Sequence, residues 1–244
     1  MKGQSDPKQF ATTHWSLVGA VKSDEVSQTR AREAIEELCR IYWYPLYAFV
    51  RIRGYSAVDA QDLTQAFFAR IIETEGFATA DRERGRFRSF LLGAMKHFLA
   101  NEWHRSKTQK RGGHVQFMEW DAPGAEARYS LASKQTDNPD FLFDREWALE
   151  TITGALQALR DEMEKAGKGE QFVALKGNLT GEDQAPREEI AERLNMSEGA
   201  VKVAIHRLRQ RYRKLLRAAI AETVSSETDL DDEMRYLVEV LRRR

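Results

Sequence analysis

The chain of 244 residues is poor in the features that would commit it to catalysis, export or a membrane. It has one cysteine, five prolines and no net formal charge, with 38 basic side chains balanced by 38 acidic ones. A single cysteine excludes an internal disulfide. Cys39 falls at helical spacing with Ile35 and Tyr42, which makes it a buried core thiol rather than a nucleophile. No apolar run approaches the ~20 residues needed to cross a bilayer. The start, MKGQSDPKQF, lacks the hydrophobic centre of a signal peptide, so a cytoplasmic setting is expected. The histidines His14, His97, His104, His114 and His206 share no metal-ligand spacing beyond the i, i+7 pair His97 and His104. There is no glycine-rich phosphate loop and no nucleophile motif, so no metal, no cofactor and no enzymatic activity are expected. Strand alternation and internal repeats are also lacking.

The zero net charge conceals segregation. Residues 82–111 hold nine basic and two acidic side chains, 119–150 hold eight acids and three bases, and 198–217 hold seven bases against Glu198 alone. Residues 222–233 then carry six acids and no base. The order basic, acidic, basic, acidic confines attraction for phosphate to two places and rules out a uniform cationic coat.

The second basic block lies in the run Arg187 to Arg217. A first helix carries Ile190, Ala191 and Leu194 on one face; Asn195 tolerates a left-handed turn, and Ser197 is an N-capping hydroxyl. In the helix that follows, Val201, Ile205 and Leu208 recur at i, i+4 and i+7. Glu198, Lys202, His206, Arg209 and Arg213 lie on or beside the opposite face. A short helix, a tight turn and a basic second helix form a helix-turn-helix unit whose second helix enters the major groove.

Helical periodicity continues elsewhere. Ile35, Leu38, Tyr42, Leu46 and Phe49 form a stripe over 30–50, Ala60, Leu63, Phe67 and Ile71 another over 57–72, and Phe87, Leu91, Ala94 and Phe98 a third over 87–105. The predicted class is all-α, with two helical domains, a flexible acidic linker and a C-terminal helix. The divisions are an N-terminal extension (1–30), a first helical domain (31–111), a linker (112–138) with Gly112, Gly113, Pro123 and Gly124, a helix-turn-helix domain (139–221) and a tail (222–244). Asn138 and Pro139 suit the cap and first position of a long helix through Trp147, Leu159 and Met163. A short helix over 170–176 and a polar loop over 177–185 come next. In the tail Leu230, Met234, Leu237, Val238 and Leu241 make one apolar face, either a packing helix or a lid over a basic surface.

Asp59, Gln61, Asp62 and Gln65 turn outward from the 57–72 helix and give a face that suits a basic protein partner, not DNA. Downstream, DRERGRFRSFLLGAMKHFLANEWHRSKTQKR combines a basic loop, the aromatics Phe87, Phe90, Phe98 and Trp103, and the polar strip His97, Asn101 and His104. Cations there can follow phosphates, and amides or rings can receive unstacked bases. Phe90 and Phe98 also suit the core, and Trp103 suits either role.

Taken in order, DAQDLTQAFF, GRFRSFLLGAMKHFLANEWHR, a loose acidic linker and EEIAERLNMSEGAVKVAIHRLRQR resemble a bacterial RNA polymerase sigma factor of the extracytoplasmic-function (ECF) class over roughly 34–217. TTHWSLV and the tail helix resemble a Planctomycetes-like branch with a C-terminal extension. The resemblance implies promoter-specific transcription initiation with core RNA polymerase, bound through the β′ clamp and the β flap. Asp59, Gln61, Asp62 and Gln65 would meet the clamp. Arg84, Arg86, Phe87, Lys96, His97, Asn101 and Arg105 would hold a flipped base of the −10 element. Ser197, Glu198, Lys202, His206, Arg207 and Arg209 would contact the −35 element, the acidic linker would thread a positively charged polymerase channel, and an anti-sigma factor is a further candidate partner.

The sequence departs from the family pattern at Ala66, where relatives often have Glu, and at Ala200, Val203 and Ala204, where they often have Thr, Ser and Arg. Readout of the upstream element should therefore use thymine methyl contacts more than hydrogen bonds. Two rival readings are a helix-turn-helix regulator that binds an operator without polymerase, and an enzyme. The first leaves the DAQDL helix and the upstream basic loop without a role, and the second lacks a motif.

Overall fold

The computed structural model describes residues 25–73, 86–108, 124–181, 185–224 and 226–243. Among them are ten α-helices, one 3-10 turn and no strand, as the periodicities require. The chain divides into two compact units, one formed by residues up to Glu150 together with those from Ile220 onward, the other by Thr151–Ala219.

In the first unit, α1 (Glu25–Ile52), α2 (Ala57–Glu73) and α3 (Phe87–Thr108) bury most of the predicted stripes; Leu63 and Ala94 are only half-buried, Met95 takes a core place the spacing did not give it, and the side chain of Ile35 lies outside the described residues. Leu38, Tyr42, Leu46 and Phe49 of α1, Phe67 and Ile71 of α2, and Leu91, Met95 and Phe98 of α3 are all buried. Edge-to-face ring pairs join the helices, Tyr42 to Phe87 at 5.4 Å and Phe67 to Phe98 at 5.7 Å between centroids. Helix α1 stops at Gly54, whose φ of 95° is a left-handed geometry that favours glycine, and its N–H donates to the Arg51 carbonyl. Cys39 is buried as expected, and burial pushes its thiol up to about 12, which keeps it unreactive.

The expectation of a loose linker over 112–138 needs correction for its second half; 112–123 lies outside the described residues. Helix α4 (Ala125–Ala132) and a 3-10 turn (Ser133–Gln135) occupy this stretch. Glu126 and Arg128 there pair with specific partners, whereas Lys134 and Asp137 are exposed. Glu126 accepts hydrogen bonds from Tyr47 Oη at 2.7 Å and Arg51 Nε at 2.9 Å. The Arg128 guanidinium bonds Glu146 at 2.9 Å, pairs with Glu150, and lies 3.7 Å from the Tyr44 ring centroid. Next comes α5 (Pro139–Lys165), capped as predicted: Asn138 Oδ1 accepts from the N–H groups of Asp140 and Phe141 at 3.0 and 3.1 Å.

The second unit packs α6 (Gly169–Leu175), α7 (Gly177–Thr180), α8 (Arg187–Leu194) and α9 (Glu198–Ala221) with the part of α5 beyond Glu150. Its core is Leu159, Phe172, Leu175, Ile190, Ala191, Val201, Ile205 and Leu208. Four residues of the expected loop over 177–185 instead form the short helix α7. The turn between α8 and α9 has the predicted chemistry. Asn195 adopts φ 50° and ψ 50°, and Ser197 Oγ accepts from the Ala200 N–H at 3.2 Å.

The tail forms α10 (Glu227–Arg242), capped by Ser226 Oγ on the Asp229 N–H at 3.1 Å. Its buried face differs from the expected one: Leu230, Glu233, Leu237 and Val240 are buried, whereas Met234 and Leu241 are half-buried and Val238 is exposed. The face is rotated because it carries an acid with a buried partner. Arg88 of α3 is 6% exposed and Glu233 is 1% exposed. The Arg88 guanidinium donates to Glu233 at 3.3 Å and to Asp144 of α5, and lies 4.4 and 4.8 Å from the ring centroids of Tyr236 and Trp147. Tyr236 Oη completes the cluster with a 2.5 Å bond to Asp144. Burial opposes the charge on Arg88, but Asp144 and Glu233 outweigh it and hold the guanidinium firmly protonated. Two carboxylates therefore share one buried cation. Burial raises the Glu233 carboxyl above its ordinary range, and Arg88 and Arg86 only partly offset this.

Two outcomes test these assignments. Because the folded-state pKa of Glu233 is raised, its favourable contribution is full below the ordinary carboxylate range and is lost as pH rises through the raised value. Urea unfolding from about pH 4 upward should show the wild type losing stability relative to Glu233→Gln. At the turn, Asn195→Gly should be near neutral, whereas Asn195→Val should cost about 1–2 kcal/mol in the same measurement, since a β-branched side chain crowds the left-handed conformation.

Candidate nucleic-acid interface

The two sides of α9 differ in chemistry. Val201, Ile205 and Leu208 are buried, while Ser197, Glu198, Lys202, His206, Arg207 and Arg209 are all exposed. The structure thus brings the whole predicted −35 set to the exposed side of one turn and helix. These residues are not equally available. Arg209 directs its Nε and a terminal nitrogen at the Asn178 carbonyl, at 3.2 and 3.0 Å. Arg211 forks onto Glu162 at 2.7 and 2.5 Å, and that pair holds the Glu162 carboxyl below its ordinary range. Among the described residues, Lys202, His206 and Arg207 have no ion pair or hydrogen bond to another side chain. They stand on the exposed side of the helix, as Arg213 and Lys214 do further along it.

Val203, one of the positions that depart from the family pattern, is 48% exposed beside Lys202 and His206, on the polar side of the helix.

On α3 the predicted −10 residues separate into distinct environments. His97 and Asn101 are exposed and one helical turn apart, and Trp103 keeps 52% of its surface open. Lys96 pairs with Asp140 of α5 at 2.6 Å. Arg86 stands at the N-terminal end of α3, where Glu233 and Asp232 of the tail lie 3.6 and 3.9 Å from its guanidinium. Phe87 is corrected: only 2% exposed and packed edge-on against Tyr42, it is part of the core and offers no face to a base. Its N–H donates to the Thr223 carbonyl at 3.3 Å. Phe98 is core as its spacing suggested, and Phe90 is half-buried. Arg84 and the side chain of Arg105 lie outside the described residues.

Helix α2 shows Asp59 and Asp62 exposed and Gln61 and Gln65 half-buried. Asp59 also forms a capping box. Ser56 Oγ accepts from the Asp59 N–H at 3.1 Å and donates to the Asp59 carboxylate at 2.6 Å, so this acid both starts the helix and faces solvent. Asp62 has no such local task, and its charge is exposed.

The Arg88 cluster was also missed, although each half leaves a trace in the sequence. Arg88, Leu91 and Met95 recur at i, i+3 and i+7, and Leu230, Glu233 and Leu237 do the same. A single charge on each of two apolar stripes, of opposite sign, is the mark of a buried pair between helices. Among the described residues no group of histidines, cysteines and acids could hold a metal ion, and no helix is long and apolar enough to cross a membrane.

A family model described as ECF sigma factor matches residues 33–218. Comparison with curated proteins and with solved structures gives no match. The matched stretch begins within α1 and ends within α9, so it takes in both basic blocks and the helix-turn-helix and stops short of α10. By this match the chain belongs to the ECF sigma factor family, non-enzymatic initiation factors that bind RNA polymerase and direct promoter-specific transcription.

Proposed function

We propose that this protein grips a promoter at two places while held on core RNA polymerase in the cytoplasm. Asp59, Gln61, Asp62 and Gln65 on the outward side of α2 meet a basic surface of the β′ clamp, and the second unit also meets the β flap. Asp62 carries most of the clamp contact because its charge is exposed and locally unengaged. His97, Asn101 and Trp103 take the −10 element as a displaced single strand. They supply hydrogen-bonding edges and a ring on the exposed side of α3, with Arg84, Lys96 and Arg105 following the backbone. Arg86 joins them only by exchanging its tail carboxylates for phosphate. Ser197, Glu198, Lys202, His206, Arg207 and Arg209 address the −35 element as duplex.

One observation carries this reading. The exposed side of α9 presents Lys202, His206 and Arg207 without partners, directly opposite the side buried in the core. Any threading of the polymerase channel falls to residues 112–123, with Glu119 and Asp121 as their acids. Helix α10, beyond the matched stretch, supports placing the chain in the Planctomycetes-like branch that carries a C-terminal extension. An anti-sigma factor remains a candidate regulator of the same surfaces.

Run-off transcription with purified core polymerase on fragments of the source genome, with and without the protein, tests the proposal. Transcripts that depend on the protein are expected, and their absence with active core would overturn it. A stand-alone regulator would instead bind a specific duplex tightly with no polymerase present. Asp62→Arg should weaken core binding by about tenfold in a fluorescence titration, as like charges meet across the contact, and should leave duplex binding by the second unit unchanged. Unchanged core affinity would remove α2 from the interface.

A further inference from the structure

Val203 occupies a position where water offers it nothing. It is the sixth residue of α9, it is β-branched, and its side chain is half open to solvent on the side of the helix that also carries Glu198, Lys202 and His206. β-Branching lowers helix propensity, so an exposed valine here gains nothing from the helix itself. The core of the unit is complete without it. The adjacent positions Ala200 and Ala204 are half-buried and bear only methyl groups, so this band of the helix surface has no hydrogen-bonding side chain to offer a base edge. Cations border the band on both sides, with Lys202 before it and Arg207 after it.

An apolar spot framed by unpaired cations fits one feature of duplex DNA above others. In the major groove thymine alone among the four bases presents a methyl group, next to the phosphate rows that the flanking cations would follow. Residues early in a recognition helix are also those that reach base edges. We propose that Val203 is a specificity-determining residue that packs on the 5-methyl group of a thymine in the upstream promoter element. This assignment rests on the proposed role of α9 in reading that element. It makes recognition at this position a matter of methyl burial instead of a hydrogen bond.

The contact can be removed one methyl at a time. Holoenzyme assembled from bacterial core polymerase and the full chain is used to select upstream elements from a randomised duplex, and each selected thymine is then replaced by deoxyuridine, which lacks only the methyl. At one position this replacement should weaken holoenzyme binding about fourfold, the value of one buried methyl group. Val203→Ala should abolish that difference between thymine and uracil, and Val203→Ile should preserve it. Circular dichroism and thermal melting of the variants should match wild type, because the side chain lies outside the core. The inference is overturned if no thymine is selected, if uracil is tolerated at every selected thymine, or if Val203→Ala discriminates as well as wild type. Failure of the protein to form a holoenzyme with active core overturns the sigma-factor role as well, which separates the two failures.

Discussion

The first unit depends on one buried guanidinium. Arg88 is nearly closed off from solvent, shared by Asp144 and Glu233 and flanked by the rings of Trp147 and Tyr236. A buried cation without partners would cost several kcal/mol, so the sequence must deliver an acid from α5 and another from α10 to the same point on α3. Hydrophobic stripes can slide or rotate against each other with little penalty, whereas a charge that requires two acids in one place admits a single arrangement. The cluster therefore fixes how three helices far apart in sequence meet, and it explains why the tail lies against the first unit with an acid in its buried face. A nearly neutral chain can carry so many charges because many of them, like Arg51 with Glu126 and Arg128 with Glu146, act within the fold.

The second unit achieves definition by other means. Its core is apolar, and its geometry is set by local backbone chemistry: a left-handed asparagine, a serine cap one residue before α9, and a short connection between α8 and α9. Polar groups at its periphery, Arg209 on the Asn178 carbonyl and Arg211 on Glu162, tie the middle of α9 to α7 and α5. Those ties engage Arg209 and Arg211 and leave Lys202 and Arg207, nearer the start of the helix, exposed.

Features governed by local rules were legible in the sequence. The stripes of α1 to α3, the Asn138–Pro139 start of α5, the left-handed Asn195 and the buried Cys39 all follow from spacing or from single-residue conformational preference, and all are present. Features that depend on a distant partner were not. Ala125–Ala132 has weak periodicity and a glycine before it, so it reads as linker; it is helical where Glu126 and Arg128 find partners more than 15 residues away. Phe87 falls on an apolar stripe but also stands among arginines, where it suits a base-stacking ring; burial against Tyr42 leaves only the first role. The tail's spacing suggests one apolar face, and the position of Arg88 turns the buried face away from it toward Glu233. Of the residues proposed to touch polymerase or promoter, those at exposed helical positions were legible from phase alone, while the engagement of Arg86, Lys96 and Arg209 by other parts of the chain was not.

Depth separates the charges of this molecule into two populations that respond differently to ionic strength. Dissolved ions screen exposed charges over about 8 Å at physiological salt, so the pull of Lys202 and Arg207 on an approaching anion weakens as salt is raised. Arg88, Asp144 and Glu233 are closed off from those ions, and their mutual attraction is screened far less. Salt can thus quiet the charges on the surface while leaving the buried cluster intact, which makes the outer field of this molecule adjustable by its surroundings and its shape not.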